Sequence, residues 1–316
     1  MTALLSAGRR AFAKPGGGIP RGLLYLASMR SMLFTPGNHA RRMEKTLEVD
    51  CDGVILDLED AVATAEKPAA RSTILDWLER PRGRRLAYVR VNALGTPFAF
   101  DDFAAVIVPK LDGVILPKVE IASDLAIADY IMAAHERARG IEIGTIDLMP
   151  IIETAKGALN MFEIASAVKR VRRLCFGSGD YTNDTGTAWT LDNPLTTLYR
   201  AQLVNASRAA GIEPPIDTVW PHLEDEPGLV VEAKQGRAMG FQGKMSIHPK
   251  QLEIINRTYS PTPEELAFAR KVSAAFEAAE EAGSSALVVD GVFVDYPVVY
   301  RARALLREAQ RAAAAS

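Results

Sequence analysis

Short runs of consecutive apolar residues, rich in valine and isoleucine and closed by a polar side chain, recur along the chain. They are Ser31–Phe34, Val54–Leu56, Leu86–Val91, Val114–Leu116, Leu148–Ile152, Leu174–Gly177, Ile216–Val219 and Gly243–Ile247. Runs that stay apolar instead of alternating predict strands covered on both faces, as in a parallel sheet. Between them, apolar residues fall at helical spacing over Ala40–Val49, Lys67–Glu79, Ser123–Arg139, Gly157–Lys169, Pro194–Ala210 and Glu226–Met239. An internal echo supports this unit. Asp52-Gly-Val-Ile-Leu56 and Asp112-Gly-Val-Ile-Leu116 lie 60 residues apart, the length of two strand–helix units. Eight alternating units predict an α/β fold, a (β/α)8 TIM barrel over residues 30–260. A doubly wound open sheet is the alternative, but no GxGxxG follows the first strand and no Walker A loop occurs.

The pattern then changes. Thr262-Pro-Glu-Glu265 has the form of a capping box with proline at the first helical position, predicting a helix to about Glu281 that stops at Gly283. Ala286–Val289 and Val292–Val294 flank Asp290-Gly291 and predict a hairpin, followed by a helix from Tyr296 to Ala312. Residues 261–316 therefore form a C-terminal helical and hairpin extension that a barrel does not need. It suits packing on its own barrel or at a subunit interface.

Composition narrows the function classes. The 316 residues are 48% apolar and 24% charged, with 37 basic and 39 acidic side chains and a net charge of −2. This is an ordinary globular composition, and near-neutrality argues against nucleic-acid binding. No apolar run approaches the roughly 18 residues of a membrane span. The two cysteines, Cys51 and Cys175, form no CxxC pair and sit in or beside apolar runs, predicting buried thiols in a reducing compartment. Residues 1–29 differ. No acid precedes Glu44, while seven basic side chains do, and Gly16-Gly-Gly-Ile-Pro20 breaks any regular element. The expectation is a flexible N-terminal extension on a cytoplasmic protein. A mitochondrial transit peptide, or a start at Met29, is the alternative.

In a barrel of this kind chemistry sits at the C-terminal ends of the strands. The residues there are Pro36-Gly37, Asp57, Glu59, Asp60, Arg90, Asn92, Lys118, Glu120, Glu153 and Asp180. Carboxylates converging on one mouth repel one another unless a cation lies among them. Oxygen donors without histidine or cysteine favour a hard ion, Mg²⁺ or Mn²⁺, and none of the four histidines has zinc spacing. Glu153 follows a very apolar strand, so it is either a metal ligand or a helix cap. Asp180 after Gly177-Ser-Gly179 is either a second ligand or a capping turn residue. Arg90, inside a strand, needs a carboxylate partner, Glu59 or Asp60, or meets substrate. His248 is either a substrate group or a loop-ordering one. Lys169-Arg-Val-Arg-Arg173 suggests a solvated helix end that complements the helix dipole.

Seven segments in order then point to a family. They are Arg30-Ser-Met-Leu-Phe-Thr-Pro-Gly37, Leu56-Asp-Leu-Glu-Asp-Ala-Val62, Val89-Arg-Val-Asn92, Leu116-Pro-Lys-Val-Glu120, Ile152-Glu-Thr-Ala-Lys-Gly157, Phe176-Gly-Ser-Gly-Asp180 and Ile247-His-Pro-Lys-Gln251. From about Arg30 to Arg311 the chain resembles the citrate lyase β-subunit-like proteins of the HpcH/HpaI aldolase superfamily, which include malyl-CoA and citramalyl-CoA lyases. The resemblance implies a Mg²⁺-dependent carbon–carbon lyase acting on a 3-hydroxyacyl-CoA thioester. Its products would be acetyl-CoA or another acyl-CoA and an oxo acid. It makes Glu153 and Asp180 the metal ligands and Arg90 the group on the substrate and its enolate. Glu59 and Asp60 become supporting acids around metal-bound water and Arg90. Phe34 and Lys45 fall at the coenzyme A contact, although His39 stands where some of these enzymes carry an arginine. Asp295, in Val294-Asp295, becomes the acid/base group delivered to a neighbour's site, which implies a homotrimer or hexamer. The loop Gly179–Asp184 and Trp189 depart from malyl-CoA lyases and should shape the acyl pocket, leaving malyl, citramalyl and citryl thioesters open. A malyl-CoA-type thioesterase, or a citrate lyase β subunit acting on an acyl carrier protein thioester, are the alternatives.

Overall fold

The computed structural model describes residues 29–314. Eight parallel strands close into a barrel in chain order. They are β1 (Ser31–Pro36), β2 (Gly53–Asp57), β3 (Leu86–Arg90), β4 (Gly113–Leu116), β5 (Asp147–Ile152), β6 (Cys175–Phe176), β7 (Ile216–Asp217) and β8 (Gly243–Ser246). The helices outside are α1 (Ala40–Lys45), α2 (Lys67–Leu78), α3 (Ala99–Val106), α4 (Ala122–Ala138), α5 (Ala155–Leu159), α6 (Met161–Ala165), α7 (Ser178–Thr185), α8 (Pro194–Ala209), α9 (Glu226–Met239) and α10 (Leu252–Tyr259). The extension follows as α11 (Pro263–Glu281), β9 (Leu287–Val289), β10 (Val292–Val294) and α12 (Tyr296–Ala314). The TIM-barrel expectation holds.

Successive strand residues face opposite ways, so each strand divides its side chains between two cores. Val54, Leu56, Val89, Val114 and Leu148 join the helix-facing core, while Met32, Ile55, Tyr88, Ile115, Met149 and Ile151 fill the barrel interior. The internal echo has a physical meaning here. Gly53 lies opposite Met32 and Gly113 opposite Tyr88 in the strand register. A Cβ at either glycine would overlap the facing inward side chain. Each preceding aspartate ties down the chain beside it. Asp52 accepts the Arg30 amide N–H at 2.7 Å and its guanidinium, and Asp112 accepts the Ala87 N–H at 2.7 Å. Met29, grouped with the N-terminal extension by sequence, is buried in the barrel interior. The rest of that extension lies outside the described residues.

Several expectations change in detail. The helix expected over Gly157–Lys169 is two short ones, because Asn160 ends α5 and opens α6 with its Nδ2 donating to Glu120 O at 2.9 Å. The basic stretch Lys169–Arg173 is not a solvated helix end at its two key positions. Arg170 is buried against Glu136 and Asp129. Arg173, fully buried, bridges Asp147, Glu213 and the Tyr88 hydroxyl at the N-terminal end of the barrel. Both thiols are buried as expected, and burial pushes Cys51 up to about 11 and Cys175 well above its usual value. Native protein should therefore leave both cysteines unmodified by an aromatic disulfide reagent at pH 8, with two thiols appearing on denaturation. Fast labelling of either in native protein would contradict this burial.

The extension carries a core of its own, with Val272 and Phe276 of α11 packed against Val289, Val294 and Val299. The expected capping box opens it. Thr262 Oγ1 accepts the Glu265 N–H and Glu265 Oε2 accepts the Thr262 N–H at 2.8 Å. Asp290 and Gly291 both take left-handed backbone, the conformation a tight two-residue hairpin turn requires. Among the described residues no helix is long and apolar enough to cross a membrane.

Candidate active site

The inward parity that fills the barrel also builds its mouth. Phe34, Asp57, Arg90 and Glu153 continue the inward rows of β1, β2, β3 and β5, one step beyond the apolar interior. Asp57 pairs with Arg90 in the strand register. Arg90 Nε donates to Asp57 Oδ1 at 2.6 Å and Nη2 to Oδ2 at 2.7 Å, a two-pronged pair. Asp57 is thus the main partner, where the sequence suggested Glu59 or Asp60. Glu59 is secondary, 3.0 Å from Nη1, and the half-exposed Asp60 stands off at 3.6 Å. Asp57 also accepts the N–H groups of Glu59 and Ala61. Arg90 and these N–H groups outweigh burial and hold its carboxyl below the usual range. The Phe34 ring centroid lies 4.9 Å from the guanidinium carbon, closing the other face of Arg90.

Glu59 is buried and fixed from several sides. The Lys67 ammonium donates to the carbonyls of Leu58 and Glu59 at 2.7 and 2.6 Å, and Asn92 Nδ2 donates to Leu58 O. The Glu59 carboxylate meets Lys118 Nζ at 2.6 Å. Lys118 and Asp57 are the site members that the sequence reading placed at strand ends without giving them a role. What singles out Asp57 is its place directly opposite Arg90, which strand register sets and local sequence does not carry. No local signal marks Lys118, whose φ is +53°.

Glu153 is 2% exposed and does not cap a helix. Thr154 does that instead, its side chain accepting the Gly157 N–H at 3.0 Å. Glu153 Oε1 accepts the Lys118 N–H at 2.8 Å, and Oε2 lies against Gly177, where a Cβ would come within 2.5 Å of it. Asp180 is not the cap of α7 either. Gly177 holds that position, and Asp180 sits in the first turn. Asp184, one turn later, accepts the Ala155 N–H at 2.7 Å and so pins α7 beside the Glu153 loop. No hydrogen bond or ion pair engages the Asp180 carboxylate among the described residues.

The electrostatics of the pair suit a hard dication. Burial, then the charges of Glu59 and Asp180, push Glu153 up to about 8. A buried carboxylate so opposed to ionising is what an added cation would relieve. Among the described residues no three His, Cys, Asp or Glu side chains form a metal-holding group. An octahedral ion held by two carboxylates alone would draw its further oxygens from water or substrate.

The other expected site residues are spread out. Lys45, at the far end of α1, is exposed and unpaired among the described residues. His248 is loop-ordering: its Nδ1 accepts the Lys250 N–H at 3.1 Å. The Trp189 ring lies over Gly179, 3.1 Å from where a Cβ would stand. Asp295, half-buried at the join of β10 and α12, makes no bond to the barrel mouth among the described residues.

Comparison with known proteins gives a consistent picture. Citrate lyase subunit beta of Leuconostoc mesenteroides subsp. cremoris is 36% identical over 279 residues, 88% of this chain and 92% of its own. The (3S)-malyl-CoA thioesterase of Cereibacter sphaeroides (strain ATCC 17029) is 37% identical over 286 residues, covering 90% and 96%. The crystal structure of CitE from Mycobacterium tuberculosis with magnesium, acetoacetate and coenzyme A superposes with a TM-score of 0.74 at 31% identity, covering 90% of this chain and 99% of that one. Residues 30–249 match the HpcH/HpaI aldolase/citrate lyase family, and the chain belongs to that family.

Proposed function

We propose that the protein is a Mg²⁺-dependent carbon–carbon lyase that splits a 3-hydroxyacyl-CoA thioester into an acyl-CoA and an oxo acid. One observation carries this reading: a buried, two-pronged Arg90–Asp57 pair faces a strained carboxylate, Glu153, across one barrel mouth. Cleavage beside a thioester develops negative charge on the thioester oxygen. A guanidinium already locked by Asp57 and Glu59 stabilises that charge without reorganising. Glu153 and Asp180 would hold Mg²⁺, which supplies Lewis-acid polarisation of the substrate's hydroxyl and carboxylate oxygens. Glu59 and Asp60 support Arg90. Phe34 and Lys45 belong to the coenzyme A side of the site. The relative solved with magnesium, acetoacetate and coenzyme A fits this ligand class.

Asp295 is the proposed acid/base group, acting in the site of a neighbouring copy within a homotrimer or hexamer. Val288, Phe293 and Tyr300 beside it are more than half exposed, an apolar face suited to such a contact. Asp295→Asn should fold normally and lose turnover by about 10²- to 10⁴-fold. Mixed oligomers of Asp295→Asn and Arg90→Met chains should regain activity that neither has alone. Absence of regain in verified mixed oligomers would place Asp295 outside a neighbour's site.

The reaction type is tested with malyl-, citramalyl- and citryl-CoA, assaying free thiol and oxo acid together. Oxo acid without free thiol, abolished by EDTA, is the expected result. Free thiol with intact hydroxy acid would make the protein a thioesterase, like the Cereibacter relative's name. No turnover of free esters would favour a carrier-protein thioester, as for citrate lyase β subunits.

A further inference from the structure

Glu59 is a third carboxylate beside the Glu153–Asp180 pair, and the structure keeps it aside. Lys118 Nζ lies 2.6 Å from its Oε1 and Arg90 Nη1 lies 3.0 Å from its Oε2. It is linked to that pair through a single residue, since Lys118 also donates its N–H to Glu153 Oε1 at 2.8 Å, and its charge is among those that raise Glu153. Both Glu59 oxygens thus lie within ion-pair distance of a cation.

The placement of Lys118 is specific. It is the one non-glycine residue of the described barrel with a positive φ. That left-handed bend turns its N–H onto Glu153 Oε1 at 2.8 Å while its ammonium reaches Glu59. Its loop is seated on α5. A Cβ on Gly157 would overlap Val119 O, and Asn160 Nδ2 donates to Glu120 O. One residue thus holds Glu153 and Glu59 directly, with the exposed Asp60 3.7 Å from its ammonium.

We propose that Lys118 is a positioning residue that keeps Glu59 out of the metal shell, so that the Glu153–Asp180 pair leaves the remaining positions open to substrate. The proposal rests on the Mg²⁺ reading above. A third carboxylate would bind the ion more tightly through its added charge and fill a position that a chelating hydroxy acid needs. Loss of the ammonium should therefore tighten metal binding and slow turnover. A residue that merely supports the fold would weaken both.

The test is calorimetric titration of Mg²⁺ into the full chain without substrate, paired with kinetics. Lys118→Gly removes the ammonium, keeps the N–H and adopts a φ of +53° without strain. It should bind Mg²⁺ on the order of tenfold tighter than wild type, with turnover reduced by a similar factor. Lys118→Arg, which keeps the cation, should stay near wild-type affinity. Adding Glu59→Gln to Lys118→Gly should cancel the gain. Lys118→Met reports the same way with side-chain volume kept, should the glycine variant fold poorly. Wild-type or weaker Mg²⁺ binding by the lysine-to-glycine and lysine-to-methionine variants overturns the assignment. A wild type that binds no Mg²⁺ overturns the metal reading beneath it.

Discussion

Replacing Arg90 with methionine is expected to abolish activity and weaken the barrel mouth together. Among the described residues the guanidinium is the only cation hydrogen-bonded to Asp57, which is 1% exposed. Removing one partner of a buried pair strands the other charge, at a cost of about 3–5 kcal/mol. Loss of a preorganised donor to developing negative charge lowers turnover by about 10²- to 10³-fold, before any loss of substrate binding. Arg90→Lys should not rescue either property, because an ammonium cannot reproduce the fork that spans both Asp57 oxygens. Urea denaturation reads the first effect and thioester cleavage the second. An Arg90→Met protein with wild-type turnover would remove Arg90 from the chemistry.

Glu153→Gln should lose activity while gaining stability in metal-free buffer. The amide keeps the shape of the carboxyl but removes a group that burial, Glu59 and Asp180 push up to about 8, so the cost of taking up a proton on folding at neutral pH disappears. Sites built for function commonly carry such strain. The two proteins should part company when Mg²⁺ is added. At about 100 times its Kd a bound ion stabilises the wild type by about 2.7 kcal/mol. The variant, with its ligand charge gone, should barely respond. Thermal unfolding in EDTA and in Mg²⁺ measures all four states. Equal Mg²⁺ stabilisation of both proteins would show that Glu153 is not a ligand.

The barrel was legible because its strands are apolar at successive positions, so each element announces itself locally. The hairpin and the capping box were legible for the same reason, through Asp290-Gly291 and Thr262-Pro263-Glu264-Glu265. The comparatively short α3, α7 and α10 were missed. α7 begins at Ser178-Gly179, which by sequence resembles a turn, and its helical form depends on anchors such as the Ser178 N–H on Thr218 Oγ1. Charge partners were the least legible. Arg170 and Arg173 find their acids 26 to 41 positions away, so the stretch looks solvated in sequence. For Arg90 the sequence points to Glu59 and Asp60, which do lie within ion-pair distance, but not to its two-pronged partner Asp57. Strand register, which local sequence does not carry, decides for Asp57. Glu153 and Asp180 could be nominated as ligands by sequence, but their freedom from capping depends on Thr154 and Gly177 taking those roles.

The reverse reaction tests the central claim most directly, since a thioesterase cannot form a carbon–carbon bond. Purified protein would be incubated with acetyl-CoA and glyoxylate, pyruvate or oxaloacetate, in Mg²⁺ and in EDTA, and the thioesters weighed by mass spectrometry. A 3-hydroxyacyl-CoA appearing with Mg²⁺ and not with EDTA is the predicted result. Free CoA without any condensed product, from all three oxo acids, would contradict the account.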